Sequence, residues 1–377
     1  MKPTISFVLQ LSPSTDYNNL DAVARNLSDG LDIMLNSGLV RCSIFLDGPT
    51  IEALRRVAKP LVLSKVKDAV ADGVLEFLGG GFYDPMLPLF PEETQSVQLD
   101  MHRRLLKKNF EVEPQGFFNS SLVWEMGMTA VLQRAGFDYA LVSEAAIREA
   151  LGRTTPVSGW YTVEDKGSLM RIVPVADALS KAIEDDDINW KAIAQPYCRG
   201  GKSAVVLFDM PPDPKDIVAF FERLVDFVET NDVQTWPVGY SVNQLPPEGS
   251  LSYLMSSGRK LGLPSTVTTC REMLLLRPEI NLHQKMFLNL YNRGKATLDR
   301  KRFNDFCEKL LPAMSPIFFR DLGDGGMREL SVRGWGARYL LDASKYLDEL
   351  TNFTGLRMEV CDFLLQGRKQ IYVENSE

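Results

Sequence analysis

Three short stretches of this chain combine residues that can do chemistry with residues that can hold a ligand. The first is Gly79-Gly80-Gly81-Phe82-Tyr83-Asp84-Pro85, a carboxylate beside two aromatic rings in a loop stiffened further by Pro88 and Pro91. Glycine lets a backbone turn sharply or lets another group approach closely. A loop decorated in this way suits a large polar ligand such as a sugar chain. The second stretch, Asn119–Glu125, carries Trp124 and Glu125, and the third, Asp209–Asp213, opens and closes on carboxylates. Each has a plainer reading as well. The glycines can serve close packing, Trp124 can be a core side chain, and Glu125 can open a helix, where a carboxylate suits the dipole. Asp209 can form a turn before Pro211 and Pro212.

Other chemistries find little support. His102 lies in a helical stretch with Arg103, Arg104, Lys107 and Lys108 and reads as a surface residue, and His283 falls far along the chain. Neither suits a Ser-His-Asp triad, which needs a histidine at a strand end. Gly79–Gly81 lacks the lysine and the spacing of a phosphate loop or a dinucleotide fingerprint. Cys42, Cys198, Cys270, Cys307 and Cys361 are widely spaced and form no CxxC pair. Neither a disulfide framework nor a metal site is expected, and no cofactor.

The elements that must position these stretches alternate in type. Ile5–Leu11 reads as an apolar strand, Leu20–Asn36 as a helix, and Cys42–Leu46 as a strand closed by the turn Asp47-Gly48-Pro49. A helix from Lys59 to Ala71 feeds the strand that runs into the glycines. Helix 93–110, strand Gly116–Asn119, helix 125–136 and strand Tyr139–Ser143 follow. Leu169–Val175 and Ser203–Asp209 are further strands, and 214–230 is a helix. Such alternation favours a parallel sheet, closed as a barrel or doubly wound. In a barrel, active groups gather at the C-terminal ends of the strands, where the three stretches fall. Beyond Pro278, helical patterns occupy His283–Tyr291, Arg302–Leu311, Trp335–Leu350 and Gly355–Gln366. The expected organisation is therefore a barrel over 1–277 and an α-helical bundle over 278–377.

With 377 residues the chain is long for one domain. Its 42 basic against 49 acidic residues give a net charge of −7 with no basic stripe, which argues against nucleic acid as a partner. No apolar run approaches the roughly 20 residues that span a bilayer. Met1–Thr4 runs straight into a strand without a leader pattern. A cytoplasmic protein is expected, and no protein partner is identified.

The stretches together resemble glycoside hydrolase family 57, in its 4-α-glucanotransferase and α-amylase branch. Gly73–Leu87 is similar to a family signature that ends Gly-Gly-Gly-Phe-Tyr-Glu-Pro, and Phe118–Glu125 occupies the next region. Arg271-Glu272-Met273, Arg277–Asn281 and His283–Met286 resemble a later region. Gly334-Trp335-Gly336 resembles a motif of the family's helical subdomain. The resemblance implies an α/β fold, a (β/α)7-type distorted TIM barrel followed by a C-terminal helical bundle. It implies an α-glucan or maltooligosaccharide as ligand, with Leu11, Glu76, Gly81, Phe82, Tyr83, Asp84, Trp124, Glu125 and Trp335 at substrate-binding positions.

The chain departs from the pattern where chemistry is done. The family's retaining mechanism needs two carboxyl groups about 5–5.5 Å apart. Its nucleophile position falls on Ser121, and a serine without a base is a poor nucleophile toward an acetal. Its acid/base position falls on Met210, with Asp209 next to it as a possible acid/base. The first-region histidine reads Leu11, in Leu11-Ser12-Pro13. Three readings follow: a catalytically degenerate protein that keeps a glucan cleft; an active enzyme using Asp209 with Asp84 or Glu125; and a non-catalytic protein-binding scaffold. A cleft filled by Leu11, Met210 and Pro212 would favour the scaffold.

Overall fold

The computed structural model describes residues 2–11, 20–185, 187–211, 213–258, 301, 305–306, 309–315, 338–347 and 349. The chain divides into two compact units, Met1–Pro88 with Gln95–Leu263, and Leu89–Thr94 with Pro264–Glu377. In the second unit, Leu311–Met314 form a 3-10 turn, and 338–347 are helical. The motifs at Arg271–Met286 and Gly334–Gly336, Trp335 included, lie outside the described residues, as do the expected helices His283–Tyr291 and Gly355–Gln366.

The first unit is built on strands whose ends carry the site. Strand β1 (Thr4–Leu11) is buried at every residue and pairs in parallel with β2 (Cys42–Phe45) on one side and β8 (Ser203–Met210) on the other. Strand β3 (Leu75–Phe77) flanks β2. A second sheet runs β10 (Gly249–Leu251), β6 (Tyr161–Asp165), β7 (Ser168–Val175), β5 (Tyr139–Ser143) and β4 (Gly116–Phe117). Only the β6–β7 hairpin is antiparallel there. A bridge between Gly79 and Phe117 joins β3 to β4, and Ala176 N–H donates to Val205 O at 2.8 Å across the β7–β8 gap. The strands thus follow one another around a distorted (β/α)7-type barrel that these thin contacts hold together.

Side-chain alternation sorts the strands into two faces. Val8, Phe45, Leu78, Phe118, Leu141, Val173, Val205 and Leu207 fill the barrel interior. Ile5, Phe7, Leu9 and Leu11 of β1, with Val206, Phe208 and Met210 of β8, pack outward against helices. These helices include α1 (Leu20–Ser37), α2 (Gly48–Val57), α3 (Pro60–Ala71), α7 (Asp177–Glu184), α8 (Trp190–Cys198) and α9 (Pro214–Asn231). A separate apolar layer covers β4 to β7 beneath α5 (Met128–Arg134) and α6 (Glu144–Ala150).

Helix α4 (Glu92–Phe110) links the strand ends to the layer outside. Asp47-Gly48-Pro49, expected as a turn, starts α2 instead. The Asp47 carboxylate accepts Thr50 N–H at 2.9 Å as an N-cap, and Pro49 sits in the first helical turn, where its missing N–H costs nothing.

Candidate functional site

The glycine run continues β3 past its last ladder pair. Gly79 N–H donates to Gly116 O at 2.8 Å, and Phe118 N–H to Gly79 O at 2.8 Å. The glycines meet a packing demand rather than a turn, because none of the three has positive φ. A Cβ on Gly80 would stand 2.4 Å from the Phe118 carbonyl oxygen, and one on Gly79 would press into the Phe137 ring. The sharp reversal comes at Asp84, a non-glycine residue at φ 48°.

Helix α4 moors this loop through two residues one turn apart. Gln98 O accepts Phe82 N–H at 3.1 Å, and Gln98 Oε1 accepts Tyr83 N–H at 3.0 Å. His102 Nδ1 accepts Gly80 N–H at 3.1 Å, which assigns the proton to Nε2, and Nε2–H donates to Leu46 O at 2.8 Å. His102 is therefore fully buried and not on the surface as its charged neighbours suggest. Burial pulls its pKa down to about 4, so the ring is neutral.

Asp84 carries the loop to the next strand end. Its buried carboxylate accepts Ser120 N–H at 3.1 Å. The following turn is held by Asn119, which accepts Val123 N–H at 2.8 Å and donates to Val123 O at 3.1 Å. Leu122 sits at φ 47°, an uncommon place for a branched aliphatic residue. Two strained residues thus bracket the Ser120–Ser121 corner, and local strain of this kind clusters at binding and catalytic sites. Ser121 is half-buried.

Two of the three expected sugar platforms point elsewhere. Trp124 is 1% exposed, packed with Leu87, Phe117 and Met128 in the outer layer because its backbone pairs with Ser257. Phe82 is buried against Gly48, its ring edge-on to Tyr83. Tyr83 remains half-exposed. Glu125 is half-buried ahead of α5, which begins three residues later at Met128 rather than at Glu125.

On β8 the structure separates the two acid/base candidates. Asp209 shares the inward register of Val205 and Leu207, and Gln10 of β1, its register partner, donates from Nε2 to Asp209 Oδ1. Met210 and its partner Leu11 face outward and are buried in the helix-side core. The expected cleft-filling role of these two side chains is therefore not met, since a one-residue step along a strand reverses the face. Pro212 lies outside the described residues.

Glu76 belongs to the opposite end of the barrel. Its carboxylate accepts from Ser43 Oγ at 2.6 Å, Tyr139 Oη at 2.6 Å and Gly239 N at 2.9 Å, at the start of α10 (Val238–Gln244). Strand β9 (Gln234–Thr235), which leads into α10, pairs with the first residues of β1.

The strand ends thus carry Gly81, Asp84, Ser121 and Asp209, and add Gln10, Asp47, Gln98 and His102. Of these additions, Gln10 had a signal in the sequence: it is the one amide in an otherwise apolar run, Phe7–Leu11. Asp47 is fully buried at the end of β2, and burial pushes its pKa up to about 6. Two buried polar atoms here, Gln10 Oε1 and Ser120 Oγ, have no hydrogen-bond partner. Among the described residues no group of three His, Cys, Asp or Glu side chains could hold a metal ion.

Comparison with known proteins bears on this arrangement. Residues 15–192 match the family model described as Glycosyl hydrolase family 57. The chain is 26% identical over 358 residues to Alpha-amylase 1 of Dictyoglomus thermophilum, covering 84% of this chain and 52% of that protein. It is 28% identical over 141 residues to a 4-alpha-glucanotransferase of Thermococcus kodakarensis, covering 37% of this chain and 21% of that protein. The chain therefore spans about half the length of the first of these relatives, and its match covers about a fifth of the second. Among solved structures, a GH57-type branching enzyme from Pyrococcus horikoshii superposes with a TM-score of 0.69 at 13% identity, covering 99% of this chain and 95% of that one. The 4-alpha-glucanotransferase from Thermococcus litoralis gives 0.64 at 18% identity, covering 83% and 53%. At these identities the structural likeness concerns the fold.

Proposed function

The chain belongs to glycosyl hydrolase family 57, and on that premise we propose that it binds an α-glucan at its strand ends without hydrolysing it. One observation carries this reading. Where the resemblance to the family pattern expects the attacking carboxylate, the chain carries Ser121, half-buried in the loop after β4. Loss of the attacking carboxylate alone removes several orders of magnitude of rate. What remains is a ring, Tyr83, half-exposed for stacking, and a set of buried polar atoms at the strand ends. The two relatives, an amylase and a glucanotransferase, support an α-glucan as the ligand class.

A second reading is favoured by the inward register of Asp209. It is an active α-glucan enzyme in which Asp209 acts as acid/base with Asp84 or Glu125. Asp84 is the weaker partner, since one of its oxygens already accepts Ser120 N–H. The scaffold reading loses its expected support, because Leu11 and Met210 do not fill the interior.

Calorimetry with maltohexaose beside a reducing-sugar assay separates the first two. The first predicts a Kd between roughly 1 μM and 1 mM, about −8 to −4 kcal/mol, with no release of reducing ends. Turnover by the wild type that Asp209→Asn abolishes would establish the second reading and discard the first.

A further inference from the structure

We propose that Gln10 is a ligand-contacting residue of this cleft, that Asp209 positions it, and that the pair selects neutral sugar over phosphorylated sugar. The inference rests on the α-glucan reading and deepens it. Gln10 is fully buried on the inward face of β1, in register with Asp209 on β8. A carboxylate only accepts hydrogen bonds, so the amide must turn Nε2 toward Asp209 Oδ1. The orientation is thereby fixed, and Oε1 is directed away from Asp209. That oxygen is buried and has no donor.

A buried acceptor left without a donor keeps its full desolvation cost, while an apolar side chain of the same shape would avoid it. Val8, two residues earlier on the same face, shows that this surface takes apolar residues. The missing partner has to donate a hydrogen bond, and since Gln10 stands one residue before the end of β1, a ligand at the strand ends is the source we assign. A sugar hydroxyl meets that need. The hydroxyls of a phosphorylated sugar can still donate to Oε1, but a phosphate dianion seated beside the pair cannot, and it would face the Asp209 carboxylate besides.

Titration calorimetry with maltohexaose and with glucose 1-phosphate tests the proposal on the wild type, Gln10→Met, Asp209→Asn and Asp209→Leu. The wild type is expected to bind maltohexaose and not glucose 1-phosphate. Gln10→Met should weaken maltohexaose at least ~10-fold, in line with one lost hydrogen bond. Asp209→Asn keeps an acceptor for Nε2 and should retain most of the affinity, whereas Asp209→Leu should not. Wild-type binding that Gln10→Met leaves unchanged overturns the proposal and leaves the α-glucan reading standing. A wild type that binds no oligosaccharide overturns both. Should Gln10→Met fail to fold, the Gln10 side-chain amide resonances of the wild type decide. They must shift on saturation with maltohexaose, and unshifted resonances in a saturated sample reject the contact.

Discussion

Met210 and Ser121 show how much a single position depends on the face its strand presents. Restoring carboxylates at both would look from the sequence like a symmetrical repair. The structure makes the two substitutions unequal, because Met210 is fully buried among apolar side chains and Ser121 is half-buried in a loop. We expect Met210→Asp to lower stability by about 3–5 kcal/mol, as an unpaired charge forced into a core does, and Ser121→Glu by less than about 1 kcal/mol. Urea denaturation of the two single variants checks this, and equal midpoints would refute it. The glycines are unequal too. Gly80→Ala puts a methyl group against a carbonyl oxygen and should cost about 1–3 kcal/mol. Gly127 has open space around it and φ −59°, so Gly127→Ala should be neutral or stabilising by about 0.4–1 kcal/mol. Thermal melts of both distinguish close packing from a generic need for glycine.

At the scale of elements, α2 and α4 meet the strand ends through two buried groups with opposed pH responses. His102 has its pKa lowered from 6.5 to about 4 by burial. Between those values the unfolded chain takes up a proton that the folded ring refuses, so stability falls as pH drops from 6.5 to 4. Asp47 has its pKa raised from 3.8 to about 6, again by burial. The folded state now takes the proton first, so this contribution grows on acidification from pH 6 to 3.8 and is lost as pH rises through 6. The two windows overlap and oppose each other. Asp47→Asn should expose the histidine's acid sensitivity, seen as a steeper fall of the urea midpoint between pH 6.5 and 4 than in the wild type. His102→Gln should tilt the profile the other way. Parallel profiles for all three proteins would rule out this coupling.

The first unit as a whole separates a functional end from a structural end. At the N-terminal ends of the strands, Glu76 gathers donors from β2, β5 and α10 into one carboxylate. Glu76→Leu should leave Ser43, Tyr139 and Gly239 without that acceptor and destabilise by about 2–4 kcal/mol, summing the loss of charged hydrogen bonds. Its maltohexaose affinity, measured below the unfolding transition, should match the wild type. A selective loss of affinity in a fully folded variant would place Glu76 in the binding site after all.

Periodicity alone located β1, β5, β7 and β8 and helices α1, α4 and α9, because their apolar spacing matches the pitch of the element regardless of its neighbours. Gly79–Asp84 was legible because its residue types are unusual in themselves, and Ser121 only through the resemblance to the family pattern. The sequence did not reveal α2, since Asp-Gly-Pro serves a turn and a capped helix start equally well. Nor did it reveal the place of His102, whose charged neighbours in sequence lie on other sides of the helix. Only the tertiary structure decided that the conspicuous Trp124 packs away in the outer layer while the unremarked Gln10 reaches Asp209. Local pattern determines which element a segment forms. Which face of that element meets the cleft depends on strand register and on partners distant in the chain, and a one-residue step is enough to send Asp209 inward and Met210 into the core.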